Sequence, residues 1–229
     1  MSQEPHSLDD FGGTVRLFPL PNLVLFPHVA QPLHIFEARY RQMMADALAD
    51  DRRLAMALLR PGWEEDYHKR PPIHPMVCLG RITQEAQLPD GRYNLILQGL
   101  CRARVLEEVD TDRLYRIARV DLCPDVPVSS SQRAEALRRE LGQGIEPFFA
   151  GQAASLEQMR RLLGSPLSLG QLCDIFAYAL PMELEIKQQL LEEVGVQPRV
   201  RLLLSSLEGR TPPVTNEPPR RFPPEFSEN

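Results

Sequence analysis

Apolar positions change period several times along this chain, and each change marks an element. From Leu17 to Glu37 the run LFPLPNLVLFPHVAQPLHIFE is apolar but interrupted by Pro19, Pro21, Pro27 and Pro32. Proline fixes φ and offers no ladder donor, so only short, bent, extended pieces fit here. After Glu37 the spacing becomes helical: Tyr40, Met43, Met44, Ala47 and Leu48 fall on one face. A new apolar run, Leu54 to Leu59, follows, so the order is strand, crossover helix, strand. Val77 to Ile82 and Arg92 to Leu106 flank Leu88-Pro89-Asp90-Gly91. Asp tolerates the left-handed region and Gly enters it freely, so this pair closes a hairpin. In its second arm Tyr93, Leu95 and Leu97 alternate with Asn94, Ile96 and Gln98 until Gly99 intervenes. A glycine within a strand marks a bulge or a close backbone approach, as at the corner of a small barrel.

The second half reads as helices. Ser131 is placed to cap one carrying Ala134, Leu137 and Leu141, weakened by Gly142 and Gly144. Ser155 with Gln158, and Ser168 with Gln171, have capping-box spacing. Pro181 forces a new start, Gly195 ends the following helix, and Pro198 fits the first turn of the last one. Four or five helices are therefore predicted to form a bundle.

These elements and their order resemble the amino-terminal, substrate-binding domain of Lon proteases. The proline-bounded opening, the helix after PLHIFE, the hairpin LPDGRYNLILQGLCRARVLE and ALPMELEIKQQLLEEVGVQPRVRLLLSSL carry the resemblance, over Val15 to Leu207. It implies an α+β fold: a PUA-like β-barrel with a crossover helix, followed by a helical bundle subdomain. In the full protease such a unit contacts client polypeptides. The expected layout is a flexible lead-in over 1–13, the barrel lobe over 14–123, a linker over 124–130, the helical lobe over 131–208 and a disordered proline-rich tail over 209–229.

Catalytic motifs of the protease are not found. Nothing fits G-x-x-x-x-G-K-[ST], the loop that cradles nucleotide phosphates. The chain has two lysines, Lys69 and Lys187, and neither sits in a context resembling a Ser-Lys peptidase dyad. The expectation is a free-standing, non-enzymatic member of the family that binds client polypeptides, adapting them for a separate protease or for quality control. Cofactors and metals are not expected. Cys78, Cys101, Cys123 and Cys173 are far apart, with no zinc or redox spacing, and read as buried thiols. His68, His74 and Cys78, like His28 and His34, match no recognised ligand pattern.

Charge and length narrow the rest. At 229 residues the chain supports a core without disulfides. It contains no apolar span of about 20 residues and no apolar leader after its polar start, so the cytoplasm is expected. Basic and acidic residues number 15 and 17 up to Cys123, and 11 and 14 beyond it. A PUA-like RNA-binding module is the first rival reading, and Arg102, Arg104, Arg113, Arg116 and Arg119 are its best candidate face. Glu107, Glu108, Asp110 and Asp112 interleave with them, which favours a self-compensating surface. A small hydrolase is the second rival. For polypeptide binding the candidate contacts are Trp63 and Tyr67, in the proline-stiffened loop from Arg60 to Pro75. Such residues present large area at low entropy cost, although a lone Trp also serves as a lid over a core. An open sheet edge that accepts an extended peptide as an added strand is a further expectation of the implied fold.

Overall fold

A computed structural model describes residue 8 and residues 10–66 and 69–210. The chain divides between Cys123 and Pro124 into two compact units. The first contains β1 (Thr14–Leu20), β2 (Ala30–Ile35), α1 (Ala38–Leu48), β3 (Arg53–Leu58), β4 (Met76–Gln87), β5 (Tyr93–Val109) and β6 (Arg116–Cys123). The strand order is β2-β5-β4-β3-β1-β6, and β6 pairs back onto β5. Five strands therefore close a ring. It is not a clean barrel, because the 17-residue β5 outruns it. Its first part pairs with β2 and its second part with β6, leaving β2, β5 and the end of β4 as a flap. The α+β class inferred from the sequence stands, with the sheet mixed: β1 and β3 are parallel, and the chain between them supplies β2 and α1.

Every residue of β3 is buried, as expected of a strand covered on both faces. Inside the ring lie Val15, Leu17, Ala55, Ala57, Val77, Leu79, Ala103, Ala118 and Val120. The four alanines keep the strands close enough for so small a ring to fill. On the other face α1 covers β1: the Tyr40 ring meets Phe18 edge-on at 4.6 Å, and its hydroxyl donates to the Pro19 carbonyl at 3.1 Å. Gly99 fulfils both of its sequence expectations. The register shifts there, and a Cβ at Gly99 would lie 2.1 Å from the Phe26 carbonyl oxygen.

The second unit comprises α2 (Ser131–Phe149), α3 (Ala153–Leu163), α4 (Leu169–Ala179), α5 (Leu184–Glu192) and α6 (Val196–Leu207). Three local expectations are corrected. The α2 cap is Ser130, whose extended backbone lets its Oγ accept from Arg133 N at 3.4 Å. Gly142 and Gly144 do not weaken α2, which runs through to Phe149, because they are packing sites. Cβ atoms added there would lie 3.0 Å from Leu163 Cδ1 and 2.3 Å from Leu204 Cδ2. Ser155 caps nothing: α3 begins after Gln152, and Ser155 Oγ donates to the Gln152 side chain at 3.1 Å. The capping box of Ser168 with Gln171 forms as read.

The stretch after Cys123 is tied to the helices. Val126 N donates to Val194 O at 2.9 Å, and Val196 N donates to Val126 O at 3.0 Å. Asp125 meets Arg199 at 2.5 Å, and the other side of that guanidinium meets Asp174 at 3.1 Å. Arg199 and Asp174 have no exposed side-chain surface. A charge buried this deeply is tolerable only when opposite charge is placed against it.

Candidate functional site

The flap presents a partly apolar outer face. Strand alternation sends Leu33, Ile35, Tyr93, Leu95 and Leu97 inward, where all are buried. Pro32 and His34 of β2, with Asn94 and Ile96 of β5 opposite them, share the outer side. Phe36 continues that alternation just beyond β2 and is 58% exposed. It is held in place by its neighbour. The His34 ring stacks on Phe36 at 6.2 Å, and His34 Nδ1 lies 2.6 Å from Asn94 Oδ1. With the amide oxygen as acceptor, the ring proton is assigned to Nδ1. Arg92 lies 3.4 Å from the other ring nitrogen and is itself paired with Asp90 at 2.6 Å. An aromatic ring restrained by a pinned imidazole loses little freedom when it is covered by a partner.

The free edge of β2 is poorly suited to strand addition. Among the described residues β2 pairs on one side only, which leaves its other edge open. Pro32 sits in mid-strand with no N–H to give, and its carbonyl accepts from the Gln31 side chain at 2.7 Å. Proline on an edge is a common device against unwanted pairing. The exposed face of the flap, not its edge, is left available for contact.

The loop nominated in the sequence lies at the other end of β4. Its neck is a short antiparallel ladder: Arg60 N donates to Pro72 O at 2.9 Å, and His74 N to Leu58 O at 2.9 Å. Arg116 fastens the return by donating to Pro71 O at 2.8 Å. Trp63 opens a single 3-10 turn, Trp63–Asp66, and is half-buried. Tyr67 and His68 lie outside the described residues. Trp63 and the flap are thus separate surfaces on one unit. Phe36, His34 and Ile96 were not singled out as contacts in the sequence, although the period-two alternation of Pro32, His34 and Phe36 with Leu33 and Ile35 carried the signal.

Three of the five arginines of the candidate RNA face, Arg113, Arg116 and Arg119, are compensated. Arg116 is buried against Glu108 in a two-pronged pair, Arg119 meets Glu107 at 2.8 Å, and Arg113 meets Asp46 at 3.2 Å. A cleft of ≈ 390 Å³ contains Arg16, Asp46, Asp50, Asp51, Arg113 and Tyr115. Its charges also pair with one another: Arg16 bridges Asp50 at 2.6 Å and Asp51 at 2.8 Å. Cys78 and Cys173 are buried, while Cys101 and Cys123 are partly so. Burial, aided by nearby Cys123, pushes the Cys101 thiol up to about 11, against the pull of Arg102 and Arg53. That is the opposite of an activated nucleophile. Among the described residues no group of three His, Cys, Asp or Glu side chains is arranged to hold a metal ion, and no helix is long and apolar enough to cross a membrane.

Comparison with known proteins gives a consistent family. The ATP-dependent protease La (LON) substrate-binding domain matches residues 14–209. Lon protease 2 of Myxococcus xanthus is 28% identical over 202 residues, which cover 87% of this chain and 24% of that protein. The Lon protease of Anaeromyxobacter dehalogenans is 26% identical over 202 residues, 87% of this chain and 23% of that protein. The chain thus spans about a quarter of the length of these relatives, within their substrate-binding portion and not a catalytic domain. Among solved structures, the N-terminal domain of Mycobacterium avium complex Lon protease aligns with a TM-score of 0.67 at 19% identity, covering 86% of this chain and 98% of that one. A Lon N-terminal domain protein from Xanthomonas campestris aligns with a TM-score of 0.61 at 24% identity, covering 84% and 97%. At such identities the likeness is one of fold.

Proposed function

The chain belongs to the Lon substrate-binding domain family, and on that premise we propose that it binds unstructured polypeptide segments through the outer face of its flap. The observation that carries this reading is Phe36, 58% exposed yet held by the pinned His34 ring, with Pro32 and Ile96 on the same face. An exposed, restrained aromatic beside further apolar side chains is the kind of surface that marks a polypeptide contact. In this reading the chain is a non-enzymatic cytoplasmic module that presents clients to a separate protease. Trp63 and Tyr67 form a second, subsidiary contact.

Fluorescence anisotropy with a labelled unfolded peptide tests it. Phe36→Ser is expected to weaken binding about tenfold, or roughly 1.4 kcal/mol, without lowering the melting temperature. Trp63→Ala is expected to cost less. Peptide affinity should change little between low and moderate salt, whereas RNA binding would fall steeply through counterion release. Unchanged peptide affinity in a folded Phe36→Ser chain would remove the flap as the contact surface.

A further inference from the structure

The ring of the β unit carries an unusual pair at one end. Arg53 and Arg81 are direct cross-strand partners on β3 and β4. Alternation places both on the inner side, two residues from Ala55 and Leu79 of the ring core. Like charges directly opposite each other destabilise a sheet unless an anion lies between them. Asp51, just before β3, reaches the Arg53 guanidinium only at 3.9 Å, and the close anion comes from outside the sheet. Asp10 Oδ1 accepts from Arg53 at 2.5 Å, and hydrogen bonding to Arg53, with the field of Arg81 adding to it, holds its carboxyl below the usual range. The two partners are exposed very unequally: 6% of the Arg53 side chain against 77% of that of Asp10. The cation is built into the ring, and the carboxylate rests on it from solvent.

The neighbours of Asp10 repeat this arrangement. Leu8 and Phe11 are partly buried against the ring core. Phe11 N donates to Leu8 O at 3.0 Å, which makes a compact turn, and the Arg53 guanidinium lies 5.9 Å from the Phe11 ring centre. Two glycines join the turn to β1. A Cβ at Gly12 would meet nothing within 4 Å, and Gly13 has φ +77°. Gly13 O accepts from Val120 N at 2.9 Å, so the β1 end of the tether is fixed to the sheet.

We propose that Leu8, Asp10 and Phe11 are an exchangeable internal ligand, and that the ring end formed by Arg53 and Arg81 is a binding site for peptide segments of the form apolar-x-acidic-aromatic. The bound segment sets the chemistry of the competing partner. A carboxylate sits on the arginine pair, an aromatic ring follows it under the guanidinium, and an aliphatic side chain two residues before the acid covers the ring core. Because the Asp10 side of the ion pair is open to water, it is screened and weak on its own. A partner that supplies the same groups in a longer segment displaces the turn, and the Gly12-Gly13 tether lets it swing away. This site is distinct from the flap, and its test does not involve Phe36, so each proposal stands or falls alone.

The test uses the full chain and a fluorescein-labelled peptide of residues 6–13, HSLDDFGG. The double variant Asp10→Arg with Phe11→Ser repels and uncovers the internal turn, and it is expected to bind the peptide at least tenfold more tightly than the unmodified chain. Adding Arg53→Glu should abolish that gain, as should replacing the peptide's second Asp by Asn. Equal affinities for the released and unmodified chains, with matching thermal melts, would overturn the proposal. Should the double variant not fold, Asp10→Asn alone is expected to give about a threefold gain, and no gain would overturn it equally.

Discussion

The two units put their charges and their apolar side chains to different uses. In the helical unit Arg199 is wholly buried between Asp174 and Asp125, and among the described residues Val126 is its one exposed large apolar side chain. The β unit also buries Arg53 and Arg116, but against carboxylates that reach solvent, Asp10 at 77% and Glu108 at 29%, and it exposes Phe36, Leu106 and Leu114. Buried ion pairs add little net stability but penalise any arrangement that separates them. The helical unit is thus built to hold one internal arrangement. The β unit keeps apolar surface for contact, and that is where recognition is expected.

The largest way to break this contrast is Arg199→Met. It leaves the Asp174 carboxylate buried without its guanidinium, a change that costs about 3–5 kcal/mol when a buried pair is broken. The loss is expected in urea unfolding followed by the 222-nm signal, which helices dominate. Trp63, the chain's one tryptophan, lies in the β unit. Its fluorescence transition is expected to move less. Equal midpoints for Arg199→Met and the unmodified chain would show that the pair is not holding the helices.

Close glycine contacts give a smaller, paired comparison. A Cβ at Gly99 would press to 2.1 Å from the Phe26 backbone oxygen, while one at Gly144 would meet the Leu204 methyl at 2.3 Å. Backbone yields less readily than a side-chain end. Overpacking costs roughly 1–3 kcal/mol, with Gly99→Ala expected at or above the upper end and Gly144→Ala near the lower. Gly99 also lies behind the flap: Gly99 N donates to Val29 O at 2.8 Å, at the entry to β2. Gly99→Ala is therefore expected to weaken peptide binding as well, whereas Gly144→Ala should leave it unchanged. The reverse order of stabilities would refute the packing argument.

Much of this was legible in the residues because local rules and tertiary packing agree. Asp90-Gly91 makes its hairpin, Gly99 makes its close approach, and Ser168 with Gln171 closes its box. The cap misses at Ser131 and Ser155 are local shifts of a helix start, while the larger misses share one cause, a local signal decided by a distant partner. Gly142 and Gly144 read as weak points of the helix until Leu163 and Leu204 supply the reason for small residues. Arg199 was not singled out in the sequence, because its burial depends on Asp125, 74 residues away. The candidate surfaces were less legible than the fold. Trp63 stood out by rarity, but Phe36 becomes a contact only when β5 supplies Asn94 to pin His34. The turn of Leu8 to Phe11 was hidden in a polar lead-in, since nothing local shows that Arg53 and Arg81 face each other.

The smallest expected effect concerns strained backbone, again a difference between the units. Among the described residues the non-glycine positions with positive φ, His28 at 66° and Arg52 at 60°, both lie in the β unit. His28 sits where the chain turns into β2, with its N–H given to Gly99 O at 2.9 Å. The left-handed region costs an L-residue roughly 1–2 kcal/mol, with histidine among the better tolerated and β-branched side chains the worst. His28→Gly removes that cost but adds freedom to the unfolded chain, worth about 0.5–1 kcal/mol in the opposite direction. A net change of less than ~1 kcal/mol is therefore expected for glycine, and a loss of about 1–2 kcal/mol for His28→Val. The Trp63 fluorescence transition reads both variants in the unit that carries the strain. Equal midpoints for the glycine and valine variants would mean that the turn relaxes freely, and the entry to the flap would then be softer than the Gly99 contacts imply.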